Sequence, residues 1–338
     1  MKNNYFSLPL NEQRRAVEQV AFIQKLPKQA IEKDLWVTSI IQLCFKLPCA
    51  DSLVFKGGTS LSKAWGLISR FSEDIDLAID RKVFEYEGDL TKRQIKKLRK
   101  ASSLFVRDEL YAQLEKAIEE SPLNGFCQAV PQPDGVGDDT YPEPRRILIR
   151  YKSIFEETLD YLSPTVAIEA GARSLLEPYK EVRISSLMES TFPTINATVA
   201  DIVVKTSLAE KTFLEKAFLL HELFSTANGR EAQRRSRHIY DLYMMMQKSV
   251  HHSAIKDDEL WESIQHHRSI LTSVQGVDYS TDVRDRICLV PPEEFVSSWL
   301  KDYDDMAGAM IYGERPNFEK LIDGMKVLED LFHNHKNG

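Results

Sequence analysis

Cysteine is scarce in this chain. The four present in 338 residues, Cys44, Cys49, Cys127 and Cys288, have no metal-like spacing, and each lies in or beside apolar sequence. They read as reduced thiols of an intracellular protein and not as a disulfide framework. Long apolar runs are missing too: none approaches the roughly 20 residues that a membrane-spanning helix needs. The opening MKNNYFSLPLNEQRR lacks the apolar stretch of a signal peptide. These absences exclude a membrane partner and predict a soluble, cytoplasmic protein. Positive charge is in deficit, with 44 Lys and Arg against 51 Asp and Glu and a net charge of −7. That balance excludes a uniformly basic nucleic-acid binder and leaves room for local basic patches. There are no internal repeats or low-complexity tracts.

What is present suffices for two domains, since 43% of the residues are hydrophobic. Residues 8–48 read as two helices broken near Leu26-Pro27. Leu53-Val54-Phe55 is a short strand, Thr59–Ile68 a helix, and Arg70–Asp80 an acidic strand. A charged, helix-favouring insert covers Arg81–Glu120, and a loop rich in Pro, Gly and Asp covers Ser121–Pro144. Strands are expected at Arg146–Lys152, at Thr165–Gly171 with its period-2 alternation, and near Val199–Val204. Ser207-Leu-Ala-Glu210 matches a capping box opening a helix that runs to about Phe224. The pattern predicts an α+β (α/β) fold: a mixed-sheet catalytic domain over 1–205 and a helical bundle over 206–338.

Phe55–Asp80, FKGGTSLSKAWGLISRFSEDIDLAID, concentrates the chemistry. Gly57 and Gly58 permit a turn and a close backbone approach that a β-carbon would block. If Thr59 opens a helix, its free N–H groups suit an anion, with the Ser60 hydroxyl and the Lys63 ammonium beside them. A tight strand-to-helix turn with a solvated lysine needs only the same residues. Asp74 and Asp76, two apart on a strand, point to one side and can converge on one cation, a hard Mg²⁺ by preference. Alternating acids also protect sheet edges, a description that fits Glu73 and Asp80 better. Arg70 can neutralise phosphate or pair with the acids. Glu169 is the acid of an otherwise apolar strand, either a candidate general base or an acid on an exposed strand face. Lys216 lies beside the apolar stripe of its helix, where a nucleotide phosphate or a core carboxylate would satisfy it. Arg237 and Asp241 are spaced for an ion pair within one helix, and His238 fits a packing role better than a ligand's. Two basic clusters stand out: Lys92, Arg93, Lys96, Lys97, Arg99 and Lys100, and Arg230, Arg234, Arg235 and Arg237.

Taken in order, these residues resemble a known family. Gly57-Gly58 followed by Asp74-x-Asp76 resembles the signature of DNA polymerase β-like nucleotidyltransferases, and the fuller pattern resembles their AbiEii branch, which includes the MenT toxins. Glu32-Lys33-Asp34-x-Trp36-Val37-Thr38 is similar to its N-terminal helix motif. Phe213-Leu-Glu215-Lys216 and Arg237-His238-x-Tyr240-Asp241-Leu242 are similar to two later helical motifs, and Asp302-Tyr303-x-x-Met306 to a C-terminal segment. The resemblance implies a toxin of a toxin–antitoxin or phage-defence system that moves a nucleotide from an NTP, with Mg²⁺, onto an acceptor. For several relatives the acceptor is the tRNA 3′ end. It implies metal ligation by Asp74 and Asp76 and triphosphate binding by Gly57, Gly58, Thr59 and Ser60. Lys216 and Asp241 match motifs whose roles are less settled.

The reading is therefore an Mg²⁺-dependent nucleotidyltransferase toxin acting on RNA, tRNA foremost, with a cognate antitoxin of transcriptional-regulator type. Asp74, Asp76, Glu169 and Lys216 are its catalytic candidates. Gly57, Gly58, Thr59, Ser60, Lys63, Arg70 and Asp241 are its nucleotide-binding candidates. The competing readings are a small-molecule or protein acceptor and a nucleotide-binding regulator without turnover.

Overall fold

A computed structural model describes residues 4–72, 74–157, 163–195, 197, 199 and 202–335. Glu73 and part of the strand expected near Val199–Val204 lie outside the described residues. The chain divides into two compact units, Met1–Ala64 with Phe71–Ser207, and Trp65–Arg70 with Leu208–Gly338.

The first unit is built on a seven-stranded mixed sheet. Its strands are β1 (Leu53–Lys56), β2 (Asp74–Ile79), β3 (Cys127–Pro131), β4 (Arg145–Tyr151), β5 (Thr165–Gly171), β6 (Tyr179–Arg183) and β7 (Val203–Ser207). They lie in the order β3-β4-β5-β2-β1-β7-β6. The β2–β5 and β1–β7 pairs are parallel and the other pairs antiparallel. Alternation sets two faces on the central strands. Ile75, Leu77, Ile147, Ile149, Val166 and Ile168 are buried, while Asp74, Asp76 and Glu169 take the opposite parity and stay half-buried.

Helices α1 (Leu10–Gln24), α2 (Lys28–Cys44), α3 (Gly57–Lys63), α4 (Lys92–Phe105), α5 (Tyr111–Glu119) and α6 (Leu187–Thr191) complete this unit. The chain from Ala30 to Cys44 is buried throughout α2, which packs on β2 and β5 and stacks Trp36 on Tyr151 at 4.8 Å. A helix enclosed on all sides must satisfy its polar residues internally. Glu32 does so by accepting from Ser153 Oγ (2.7 Å) and the Ile154 N–H (2.8 Å). Lys33 donates to the Ser163 carbonyl at 3.0 Å. Asp34 accepts from the Leu187 N–H at 2.7 Å and pairs with Lys63. The Glu-Lys-Asp motif thus ties α2 to the loop after β4, the approach to β5, the start of α6 and the end of α3.

The second unit holds α7 (Ala209–Phe224), α8 (Arg237–Gln247), α9 (Val250–Lys256), α10 (Asp258–Leu271), α11 (Glu293–Met310) and α12 (Phe318–His333). Its core is aromatic: Phe218 meets Trp261 at 4.5 Å, and Trp261 meets Phe332 at 5.4 Å. Trp299 packs on Phe224 and donates its indole N–H to the Gly229 carbonyl at 2.8 Å. The Trp65–Arg70 segment is held by the Tyr312 N–H to the Ser69 carbonyl at 3.1 Å and by a bridge between Arg70 and Ile311. No described helix is long and apolar enough to cross a membrane.

Four local expectations are corrected. The helix expected over Thr59–Ile68 starts at Gly57 and stops at Lys63, and Gly66 takes a left-handed φ of 60° that no helix accommodates. Ser207 caps no helix: it pairs with Tyr179 as the last residue of β7, and α7 opens at Leu208 without a side-chain cap. The strand expected near Val199–Val204 runs over Val203–Ser207. The loop expected over Ser121–Pro144 contains β3, and β6 had no expected counterpart.

Candidate active site

The site begins where β1 becomes α3 with no residue between them. Lys56 is still extended, and Gly57 turns the chain with φ at +76°. A β-carbon at Gly57 would fall on the carboxylate of Asp76. Glycine is thus required twice here, by backbone conformation and by the acid packed against it. Gly58 follows in the first turn of α3 and is half-buried. Thr59 and Ser60 are fully buried, and their hydroxyls work inside the turn. Thr59 donates to the Asp74 carbonyl and lies 2.8 Å from Ser72 Oγ, while Ser60 donates to the Gly57 carbonyl at 2.8 Å. These bonds lock the glycine turn to the first residue of the acidic strand. Lys63 ends α3 against Asp34, and both are about nine-tenths buried.

Pairing across the sheet lines up the charged residues. Asp76 is opposite Lys56 on β1 and Glu169 on β5, and Glu169 is opposite Arg146 on β4. One row on one face therefore reads Lys56, Asp76, Glu169, Arg146 across four adjacent strands, with Asp74 one step along β2. Glu169 accepts from Arg146 Nε at 2.7 Å, and their side chains are 18% and 57% exposed. Burial of the other face of β2 and β5 forces these carboxylates to the open side, because a one-residue slip would bury them.

Among the described residues, no group of three or more His, Cys, Asp or Glu side chains is set to hold a metal. Asp74 and Asp76 fit a hard cation that takes two protein carboxylates and completes its shell with substrate oxygens and water, as Mg²⁺ does in phosphoryl-transfer enzymes. The space that a β-carbon at Gly57 would fill is what admits the Asp76 carboxylate to this position.

A second group of sequence candidates assembles inside the second unit. Asp241 on α8 is fully buried and accepts from Arg70 through both oxygens, at 2.7 and 2.8 Å. Lys216 on α7 meets the same carboxylate at 2.9 Å and reaches His238 Nδ1 at 3.3 Å. Burial opposes the charge on Asp241, but Arg70 and Lys216 overcome it and hold its pKa well below the usual carboxylate range. Burial also lowers the pKa of Lys216, which Asp241 partly offsets. His238 is pushed far down by burial and then by Lys216 and Arg237. It is therefore neutral at physiological pH, with Nδ1 accepting from the lysine.

The ion pair anticipated between Arg237 and Asp241 gives way to Arg70, which is distant in sequence. Asp302 of the C-terminal motif accepts from the Arg234 and Ser236 N–H groups at 2.6 and 2.9 Å and so secures the entry to α8. Arg146, Asp34 and Asp302 were missed as site-shaping residues. Asp34 and Asp302 stood inside motifs noted in the sequence, whereas Arg146 is one of three arginines in β4 and carried no signal that set it apart.

With this geometry in hand, the chain can be set beside known proteins. The family model described as nucleotidyl transferase AbiEii toxin, type IV toxin–antitoxin system, matches residues 45–324. No curated protein matches. Among solved structures, MenT4, a nucleotidyltransferase toxin from Mycobacterium tuberculosis H37Rv, aligns with a TM-score of 0.54 and 16% identity. The alignment covers 98% of this chain and 93% of that one. At that identity it is the fold that is shared. The family match spans the glycine turn, both strand aspartates, Glu169, Lys216 and Asp241, and the chain belongs to the AbiEii nucleotidyltransferase toxin family of type IV toxin–antitoxin systems.

Proposed function

We propose that this nucleotidyltransferase transfers a nucleoside monophosphate from an NTP to an RNA acceptor, the tRNA 3′ end, with Mg²⁺ held by Asp74 and Asp76. The observation that carries the reading is the glycine turn resting on the Asp76 carboxylate, level with Glu169 on the neighbouring strand. When bound, the cation draws charge from the triphosphate at the transferring phosphate. Glu169, aimed by Arg146, takes the proton of the attacking hydroxyl. The new bond forms at the α-phosphorus as the bond to pyrophosphate breaks. Gly57 and Gly58 let the triphosphate approach the backbone closely.

Of the two partners expected for Lys216, a nucleotide phosphate and a core carboxylate, it meets a carboxylate, Asp241, which it shares with Arg70. The cognate antitoxin, of transcriptional-regulator type, acts in this reading as the partner gene product that restrains growth arrest.

The test is to incubate the protein and Mg²⁺ with total tRNA and each NTP labelled at the α-phosphate. Label in tRNA, removed by 3′-end digestion, supports the proposal. Label only in protein or in small molecules overturns the RNA acceptor and favours the other acceptor classes.

A further inference from the structure

Resting on the proposed metal site and base, we propose that Lys56 is a catalytic residue: its ammonium binds the β- and γ-phosphates of the NTP and neutralises the pyrophosphate that leaves. Lys56 ends β1 and immediately precedes Gly57. Pairing sets it opposite Asp76, on the face of the sheet that carries the acids, and it is half-buried. A lysine opposite a carboxylate on the neighbouring strand ordinarily pairs with it. Among the described residues Lys56 forms no ion pair, so its three donors stay available.

The other cations that the sequence offers for phosphate are engaged. Lys63 pairs with Asp34, and Arg70 and Lys216 share Asp241 inside the second unit. On the face of Lys56, Arg146 is bonded to Glu169, and Lys205 donates to the Asp51 carbonyl at 2.9 Å. Arg150 shares that face but stands on β4, beyond β5 and away from the glycine turn. A triphosphate carries more negative charge than a divalent cation held by two aspartates offsets, so nucleotidyl transfer needs a further cation. Lys56 is the one that the row places beside Asp76.

The row also selects which phosphates it meets. Lys56 on β1 and Glu169 on β5 flank Asp76 from opposite sides, about 10 Å apart across two strand spacings. Displacement at phosphorus is in line, with the attacking and leaving oxygens on opposite sides. With Glu169 on the acceptor side, an α-phosphate level with Asp76 has its leaving oxygen on the side of Lys56. The acceptor oxygen bonds to the α-phosphorus as its proton passes to Glu169. The bond from that phosphorus to the bridging oxygen breaks, and its electron pair leaves on pyrophosphate. The Lys56 ammonium offsets this charge and gives up no proton.

The experiment measures affinity with no acceptor present, by displacing a fluorescent analogue of each NTP in Mg²⁺. The competitors are inorganic pyrophosphate, the unlabelled NTP and the matching NMP. The proteins are the unmodified chain, Lys56→Met, Lys56→Arg and Lys46→Gln, which removes one charge at an exposed position. Matched thermal unfolding shows that each is folded. Lys56→Met is expected to weaken pyrophosphate and NTP by about tenfold or more, the scale of one hydrogen bond to a charged group, and to leave NMP affinity unchanged. Lys56→Arg should recover most of the loss, and Lys46→Gln should follow the unmodified protein. Unchanged pyrophosphate and NTP affinity in Lys56→Met would overturn the proposal. Equal weakening of NMP would overturn it too, by making Lys56 a support of the site and not a contact to the leaving group. If the unmodified protein binds no NTP, or binds it equally well after Asp76→Asn, the metal-site reading fails and the role of Lys56 with it. If NTP binds but no label reaches tRNA, the acceptor alone is wrong and the Lys56 result stands.

Discussion

At the scale of single residues, Gly57 and Asp241 both resist replacement, for different physical reasons. Gly57 has a left-handed φ and carries an acid where a β-carbon would sit. Gly57→Ala is expected to cost about 1–3 kcal/mol of stability from the backbone alone and to displace the Asp76 carboxylate. Urea unfolding together with transfer kinetics checks both effects, and an alanine variant of normal stability and activity would contradict them. Asp241→Asn leaves Arg70 and Lys216 buried without their counter-charge, for an expected loss of about 3–5 kcal/mol. Adding Arg70→Met should recover part of that loss, measurable as a double-mutant cycle in urea.

The pH dependence has a definite sign. His238 has a folded pKa below its unfolded value near 6.5, so its contribution is present above about pH 6.5 and is lost as pH falls from there. Asp241 is likewise depressed, and its contribution is present above the unfolded carboxylate pKa near 4 and fades only below it. Stability should therefore begin to fall below about pH 6.5. Burial lowers the pKa of His221 and His251 in the same direction, so His238→Gln should flatten only part of that first slope, and unfolding midpoints measured across it would show the share that His238 carries.

At the scale of elements, the strands were legible where burial differs between faces. The β5 bounds follow from the period-2 pattern of Thr165–Gly171, and the spacing of Asp74 and Asp76 sets their common side. That Asp76 and Glu169 would be level with each other was not legible, because register between distant strands leaves no local trace. Nor were the pairs Lys63–Asp34, Arg146–Glu169 and Arg70–Asp241, whose members lie far apart in sequence. The short edge strands β3 and β6 escaped notice because exposed edges lack a buried face to force alternation. At Ser207 the local capping signal is genuine but the ladder to β6 overrides it.

The Glu-Lys-Asp motif of α2 belongs to this scale. Glu32 satisfies a backbone N–H and a hydroxyl from the loop after β4, so Glu32→Ala should cost about 1–3 kcal/mol. The specific rate of the folded fraction should persist. A variant of full stability with lost activity would move this motif from the scaffold into the chemistry.

At the scale of the molecule, the family assignment and the two-unit organisation frame the chemistry. The glycine turn, the two aspartates and Glu169 lie in the first unit, while Arg70, Lys216, His238 and Asp241 form a self-contained charged cluster in the second. The Trp65–Arg70 segment belongs to the second unit although it lies between the two halves of the core motif. In sequence that motif reads as one continuous piece, because local pattern does not report which unit a segment packs into.

The central claim is that Asp74, Asp76 and Glu169 on one sheet face perform metal-dependent nucleotidyl transfer. The most direct measurement is single-turnover transfer of α-phosphate label to tRNA by the unmodified protein, Asp76→Asn and Glu169→Gln. Each reaction is run with Mg²⁺ and with EDTA, after matched unfolding curves. The account predicts that EDTA or Asp76→Asn abolishes transfer, and that Glu169→Gln slows it by about 10²–10⁴. Transfer at the unmodified rate by folded Asp76→Asn would contradict it.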